Sequence, residues 1–165
     1  MPMRSALNTW VPTFPNARFV FSQREYAATR ARHAAEGHLV FVESVLRVVE
    51  AGRADLVGDD HELGDHVGLL PTRGHTERHV AICFAKGNDA VMTGDLIHVR
   101  CTCGIGISRL RATHDPLQSA ATRRSLLERY CDTQTLGWTA HFPSPSVGRL
   151  KQWGDGYRLG QNLKS

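Results

Sequence analysis

The hydrophobic period of the chain changes near residue 55, and this change limits the folds that it can adopt. Before it, Ser22 and Glu25 form a capping box that predicts a helix over about residues 23–36, which Gly37 ends. Apolar residues at helical spacing predict a second helix over about residues 39–51. The first third of the chain is therefore predicted to contain a helical hairpin.

Short apolar runs separated by turn residues follow this hairpin and predict strands. Asp115, followed by Pro116, predicts the start of a helix that runs to about Tyr130, with Asp115 as its N-cap. The alternative role for Asp115 is a contact with substrate or metal. Because the strands cluster instead of alternating with helices, the pattern predicts an α/β chain of the α+β kind. The predicted strands cover residues 55–57, 67–71, 79–85, 90–93, 136–140, 148–153 and 156–159.

A length of 165 residues fits one domain, so we expect a single domain over residues 1–165. Its first part, residues 1–21, is predicted to be a Pro-punctuated loop that enters a short strand at residues 18–21. Residues 22–52 form the helical hairpin, and residues 53–165 supply the sheet, the later helix and a final hairpin.

Composition and charge argue against several partners. The net charge of +4 is small, and Arg123, Arg124 and Arg129 are interpreted as a solvated helix face, so no nucleic-acid partner is expected. The longest apolar stretch is interrupted by Glu43, Ser44 and Arg47, which predicts no membrane span. The first ten residues lack the apolar core of a secretory signal, so a cytoplasmic location is expected. Free thiols are predicted for the four cysteines, Cys83, Cys101, Cys103 and Cys131.

Three short segments each place a metal-competent side chain just after an apolar strand. The side chains are His75, Asp95 and His141, and glycines at positions 74 and 94 allow the chain to turn sharply before the first two. Two imidazoles and one carboxylate suit Zn²⁺, Mn²⁺ or Fe²⁺. A lone histidine at a strand end is more often structural, but the recurrence of the layout in three segments favours a metal site.

These segments resemble the metal-binding motifs of the metallo-β-lactamase superfamily. Residues 74–79 are similar to its Gly-His-Thr-x-x-His motif, residues 93–95 to its strand-end Gly-Asp, and residues 140–143 to its Ala-His-x-Pro context. Residues 94–99 and 140–150 look particularly like the branch of methyl parathion hydrolase and related lactonases and esterases. Residues 10–17 resemble a segment just downstream of that branch's first metal motif. The resemblance implies an αββα sandwich with two metal ions, most often zinc.

The same resemblance implies a role for each metal-competent residue. His75 would bind the first metal ion, Asp95 would bridge both ions, and His141 would bind the second. The ions would activate a hydroxide that attacks an ester, lactone or phosphotriester of a small-molecule substrate. No further catalytic or substrate-binding residue is assigned.

The superfamily's His-x-His-x-Asp-His motif is absent from this sequence. His61–His66 is not a substitute, because Leu63 stands where the second histidine belongs, and we predict a solvated loop there. Glu77 and Arg78 replace a Pro-Gly pair of the motif around His75, and His79 is predicted to be a structural, hydrogen-bonded histidine.

We therefore expect an incomplete sandwich: a helical hairpin followed by mostly one sheet with a flanking helix. The expected function is a hydrolase impaired by the absent motif, with fewer metal ions than the intact family or none. The alternative is a non-catalytic remnant, or half of a split protein that pairs with another polypeptide. The inner sheet face, which includes some of Leu69, Val80, Ile82, Val91 and Leu136, is expected to lack a partner and to favour a homo-oligomer or a missing N-terminal segment.

Overall fold

The computed structural model describes residues 3–6, 9–98 and 113–160. Two compact units make up the chain, Met1–Gly58 and Asp59–Ser165, and the single domain over residues 1–165 stays a prediction. No helix among the described residues is long and apolar enough to cross a membrane. Cys83 and Cys131 are free thiols, whereas Cys101 and Cys103 lie outside the described residues.

The first unit contains the predicted helical hairpin. The hydroxyl of Ser22 accepts a hydrogen bond from the amide of Glu25 at 3.2 Å, and Gly37 ends the helix with φ of +73°. The predicted second helix begins with π-helical geometry and continues as an α-helix. The elements are β1 (Met3–Ala6), β2 (Thr9–Pro12), β3 (Phe19–Ser22), α1 (Gln23–Glu36), a π-helical segment (Phe41–Leu46), α2 (Arg47–Glu50) and β4 (Ala54–Val57).

Two strand predictions for this unit were wrong. Residues 9–12 were predicted to be loop, but they form β2, which pairs antiparallel with β1 and carries Pro12 at its last position, where an edge strand tolerates proline. We also assigned residues 55–57 to the large sheet, whereas β4 pairs in parallel with β3. Arg18 stabilises this pairing, since its guanidinium donates to both carboxylate oxygens of Asp55 at 2.7 and 2.6 Å.

The second unit is built on a seven-stranded sheet with the order β11-β10-β9-β8-β7-β6-β5. All neighbours pair antiparallel except β8 and β9, which are parallel and are separated in the chain by helix α3. This agrees with the predicted α+β class and with one main sheet flanked by a helix. The elements are β5 (Glu62–Leu63), β6 (Val67–Pro71), β7 (Val80–Phe84), β8 (Ala90–Met92), α3 (Pro116–Tyr130), β9 (Leu136–Trp138), β10 (Val147–Trp153) and β11 (Gly156–Gly160).

Helix α3 and one face of this sheet form the core. Along β7, Ala81 and Cys83 are buried while their neighbours are only half-buried, as expected for a strand with one covered face. Leu126, Leu127 and Tyr130 of α3 belong to the same buried cluster. Asp115 caps the helix as predicted: its carboxylate accepts hydrogen bonds from the amides of residues 117 and 118, both at 3.0 Å.

The opposite face of the sheet is apolar and incompletely covered. Cross-strand register aligns Leu69, Ile82, Met92 and Trp138 in one row, none of which is buried, and Trp138 is 40% exposed. The expectation of an uncovered face is thus met in part for Leu69 and Ile82, which are half-buried. Val91 is fully buried and lies on the covered face, because successive side chains of a strand point to opposite faces of the sheet.

The segment His61–His66 was predicted to be a solvated loop, and the structure corrects this in part. Its residues Glu62 and Leu63 form the short edge strand β5, which pairs with β6. Residues 62–66 are exposed, in agreement with the prediction.

Candidate metal centre

Strands β6, β8 and β9 all run in the same direction. Strand β7 is antiparallel to both β6 and β8, and β9 is parallel to β8, so the carboxyl ends of the three strands meet at one edge of the sheet. His75 follows β6, Asp95 follows β8, and His141 follows β9. The topology therefore brings the three predicted metal ligands to the same place.

The position of His75 depends on a close approach between Gly74 and helix α3. Gly74 has φ of +119°, and a Cβ atom there would lie 2.2 Å from the amide nitrogen of Ser119. The carbonyl of Gly74 accepts from the amide of Asp115, and that of His75 accepts from the amide of His114, both at 2.9 Å. These contacts fix the backbone of His75 against the N-terminal end of α3.

Asp95 lies in a 3₁₀ turn, Gly94–Leu96, directly after β8. The amide and hydroxyl of buried Thr93 both donate to the carbonyl of Trp138, which joins the end of β8 to the end of β9. On the other side of the turn, the buried guanidinium of Arg123 donates through Nε to the carbonyl of Leu96 at 3.0 Å. Asp95 is thus held by main-chain contacts on both sides.

His141 lies in the loop that follows β9. Thr139 closes this loop through two hydrogen bonds to the carbonyl of Ser146, donated by its amide at 2.9 Å and by its hydroxyl at 3.2 Å. Phe142 is buried in the core and anchors the loop next to the imidazole. His141 itself remains 42% exposed.

The carboxylate of Asp95 lies between the two predicted imidazole ligands. Its Oδ1 is 2.7 Å from Nε2 of His141, and its Oδ2 is 3.5 Å from Nε2 of His75. His75 is 11% exposed and Asp95 is 48% exposed, so the group is open to solvent on the side of the carboxylate. The predicted convergence is present in the structure, while the role of these residues as metal ligands stays a prediction.

His98 is a fourth member of the group that the sequence analysis missed. One ring nitrogen of His98, one of His75 and a carboxylate oxygen of Asp95 all lie within 4.8 Å of one another. The signal that could have found it is the spacing within Gly-Asp-Leu-Ile-His. Leu96 and Ile97 are buried, and their burial leaves Asp95 and His98 together outside the core.

His79 has the structural role that the sequence predicted. Its Nδ1 lies 2.7 Å from the hydroxyl of Thr72, and its Nε2 accepts from the amide of Asp95 at 3.2 Å. With Nε2 as acceptor, the neutral ring carries its proton on Nδ1 and donates to Thr72. His79 therefore supports the backbone of Asp95.

The surroundings of Asp95 determine its protonation state. Partial burial raises the pKa of its carboxyl, but the hydrogen bond with His141 and the nearby imidazoles of His75, His141 and His98 lower it, and the net pKa is below the usual value. The ionised form is the one that binds metal cations.

The donor atoms fit a divalent metal ion. Metal–nitrogen and metal–oxygen bonds of about 2.0–2.2 Å place neighbouring ligand atoms of a tetrahedral ion roughly 3.3–3.6 Å apart. The separation of 3.5 Å between His75 Nε2 and Asp95 Oδ2 agrees with this value. An imidazole and carboxylate set is suited to zinc and to other divalent first-row metals.

Sequence comparison finds neither a protein family nor a curated protein that matches this chain. Several solved structures are nevertheless similar in fold. One is AidC, a dizinc quorum-quenching lactonase in complex with a homoserine product, with 18% identity, a TM-score of 0.72, and coverage of 94% of this chain and 58% of that one. Another is the hydrolase AbOPH of the beta-lactamase superfamily, with 16% identity, a TM-score of 0.76 and the same coverage.

A third similar structure is a probable metal-dependent hydrolase from Staphylococcus aureus. It has 18% identity, a TM-score of 0.67, and coverage of 93% of this chain and 56% of that one. The chain thus spans somewhat more than half the length of these proteins. At this level of identity the likeness shows the fold, and the predicted, partial metallo-β-lactamase fold is confirmed.

Proposed function

We propose that this chain is part of a metal-dependent hydrolase of the metallo-β-lactamase superfamily that acts on an ester, lactone or phosphotriester. One observation carries the proposal: the carboxylate of Asp95 lies between the imidazoles of His75 and His141. The fold supports it, since the similar structures include a dizinc lactonase and a metal-dependent hydrolase.

His75, Asp95 and His141 would hold the metal in this proposal. When bound, divalent ions lower the pKa of a coordinated water and polarise the carbonyl or phosphoryl group that it attacks. The carboxylate of Asp95 offers one oxygen toward each imidazole, which suits a ligand shared by two ions. His79 keeps that carboxylate in place through the main-chain amide of Asp95.

Turnover would require ligands beyond those in this sequence. Three protein ligands can make a catalytic zinc site, but in the superfamily these three serve different ions and share only Asp95. We propose that a segment carrying His-x-His-x-Asp-His supplies the others, and that residues 1–165 alone bind Zn²⁺ weakly and turn over little substrate.

The test compares the chain alone with the chain joined to, or mixed with, such a segment. Zinc-dependent hydrolysis of an ester, an N-acyl-homoserine lactone and a phosphotriester would be measured for both. We expect activity only in the completed form, and we expect it to be lost in His75→Ala and Asp95→Ala. The matched control is His66→Ala, since this exposed histidine lies outside the cluster. Full turnover by residues 1–165 alone, or turnover that survives Asp95→Ala, would contradict the proposal.

The apolar sheet face favours a second candidate function, a non-catalytic chain that pairs with another polypeptide or with itself. The row of Leu69, Ile82, Met92 and Trp138 is the surface that such a partner would cover. Sedimentation velocity of the purified chain tests this candidate. Self-association that weakens in Trp138→Thr would support it, and a monomer at all concentrations would argue against self-pairing.

A further inference from the structure

We propose that His98 is a metal ligand and that it forms, with His75 and Asp95, a three-donor site for one divalent ion that this chain holds by itself. The inference rests on the proposed metal binding by His75 and Asp95 but not on the proposed reaction, and it concerns the 165-residue chain alone. It differs from the sequence-based assignment, which gave His75 and His141 to different ions and gave His98 no role.

The donor geometry is the first argument. The ligand atoms of His75, Asp95 and His98 lie within 4.8 Å of one another, which is close enough for small side-chain rotations to bring them onto one ion. Among the described residues, this is the one group of three or more such side chains, and His141 is not part of it. Two imidazoles and one carboxylate make up the set, as in many zinc sites with an open position.

The residues just before His98 are anchored in the core. Leu96 and Ile97 are buried in the core, and Arg123 binds the carbonyl of Leu96. Asp95 and His98 therefore share one short, anchored segment, whereas His75 comes from a different part of the sheet edge. Protein metal sites commonly take two ligands from one short segment and a third from another part of the chain.

A buried ring nitrogen is the second, independent observation. Nδ1 of His98 is inaccessible to solvent and has no hydrogen-bond partner among the described residues. A buried polar atom without a partner is destabilising, and natural proteins rarely keep one without a function. Coordination of an ion by this nitrogen would supply the partner that it lacks.

His141 has a different role in this site. Its ring stacks on that of His98, with the ring centres 4.1 Å apart and the planes 13° apart, and its Nε2 is hydrogen-bonded to Asp95. Both contacts orient ligands of the proposed ion. In the chain alone, His141 is therefore a positioning residue, and its loss should weaken the site less than the loss of His98.

Cobalt is a suitable probe, because Co²⁺ occupies zinc sites and its visible absorption reports the ligands. We would titrate Co²⁺ into the purified 165-residue chain and into His98→Ala, His141→Phe and the exposed control His66→Ala. We expect His141→Phe, a loss outside the ligand set, to lower the affinity by about 10–100-fold, and His98→Ala to lower it by more than that range. His66→Ala should have no effect. Circular dichroism would verify that each variant is folded.

A ligand swap separates direct coordination from a supporting role. In His98→Cys, a thiolate bound to Co²⁺ should produce a strong sulfur-to-metal charge-transfer band that the wild-type chain lacks. The band would support the proposal even if His98→Ala folds poorly.

Three results would overturn the proposal. The first is wild-type affinity in His98→Ala, and the second is the absence of the band in a folded His98→Cys that still binds Co²⁺. The third is failure of the wild-type chain to bind Co²⁺ at all, which would leave the hydrolase proposal to be decided by the assay on the completed enzyme.

Discussion

Gly74→Ala should damage both the stability and the metal centre of the second unit. The added Cβ would lie 2.2 Å from the amide nitrogen and 2.5 Å from Cα of Ser119, and 2.8 Å from the carbonyl carbon of Gln118. All three are main-chain atoms, so no side chain can rotate away and the backbone itself has to move. An alanine at φ of +119° is also strained.

The magnitude follows from these two effects. A residue held in such a backbone conformation costs about 1–3 kcal/mol. Forcing extra volume into a packed contact costs a further ~1–3 kcal/mol. We therefore expect the free energy of unfolding to fall by about 2–6 kcal/mol, a large part of the ~5–15 kcal/mol that is typical of a domain.

The metal centre should respond because Gly74 and His75 are bound to the start of α3. Their carbonyls accept hydrogen bonds from the amides of Asp115 and His114. A backbone shift at Gly74 moves the imidazole of His75 away from the carboxylate of Asp95. We expect Co²⁺ affinity to fall by on the order of 10-fold or more, since even partners outside the ligand set alter affinity by about 10–100-fold.

Urea denaturation and Co²⁺ titration would measure both effects. Gly68→Ala is the matched control, because Gly68 is in strand β6 of the same unit and a Cβ there would meet no atom within 4 Å. It should change the free energy of unfolding by no more than about 0.5–1 kcal/mol. Wild-type stability and affinity in Gly74→Ala would refute the argument that the close approach to α3 fixes His75.

Three further changes test other contacts. Arg123→Met leaves the carbonyl of Leu96 without its buried donor and should lower the free energy of unfolding by about 1–3 kcal/mol in urea. Asp115→Ala should lower it by about 1 kcal/mol and leave Co²⁺ affinity unchanged, whereas lost affinity with unchanged stability would indicate a ligand. Burial, together with the contact to Cys83, raises the pKa of Tyr130 from 10.0 to about 12. Because the tyrosine ionises more readily in the unfolded chain, the free energy of unfolding should be unaffected below about pH 10 and should fall as the pH rises toward about 12. Tyr130→Phe should remove that alkaline loss, and an unchanged pH profile would show that another group titrates.

Local signals were sufficient to predict most elements and three members of the cluster. Ser22 and Asp115 are helix caps whose hydrogen-bond partners lie only two or three residues further along the chain. The strand before His75 is marked by an apolar run between turn residues. These features act over a few residues, so a sequence displays them directly. The shared edge of β6, β8 and β9 could be inferred only through the resemblance to a known fold.

The contacts that the sequence did not reveal join residues far apart in the chain. Arg18 and Asp55 form an ion pair beside the β3–β4 pairing. Arg123, which the sequence analysis placed on a solvated helix face, is buried and binds the turn that holds Asp95. His98 was missed for a related reason. Its significance comes from the burial of the two residues before it, and burial is a property of the assembled core.

The open sheet face and the proposed metal centre are connected by the direction of the strands. Burying a fully exposed side chain of this size contributes about 1.5–3 kcal/mol. Leu69, Ile82 and Met92 are already half-buried and Trp138 is 40% exposed, so a layer that covers this row would add a fraction of that amount per residue. The row lies on strands β6, β8 and β9 and on β7 between them, and the first three end at the edge that carries the cluster around Asp95. A polypeptide that packs on this face and brings further ligands to that edge would stabilise the sheet and complete the metal centre in a single association. Metal affinity and unfolding free energy should then rise together, because binding that favours the folded state stabilises it by mass action.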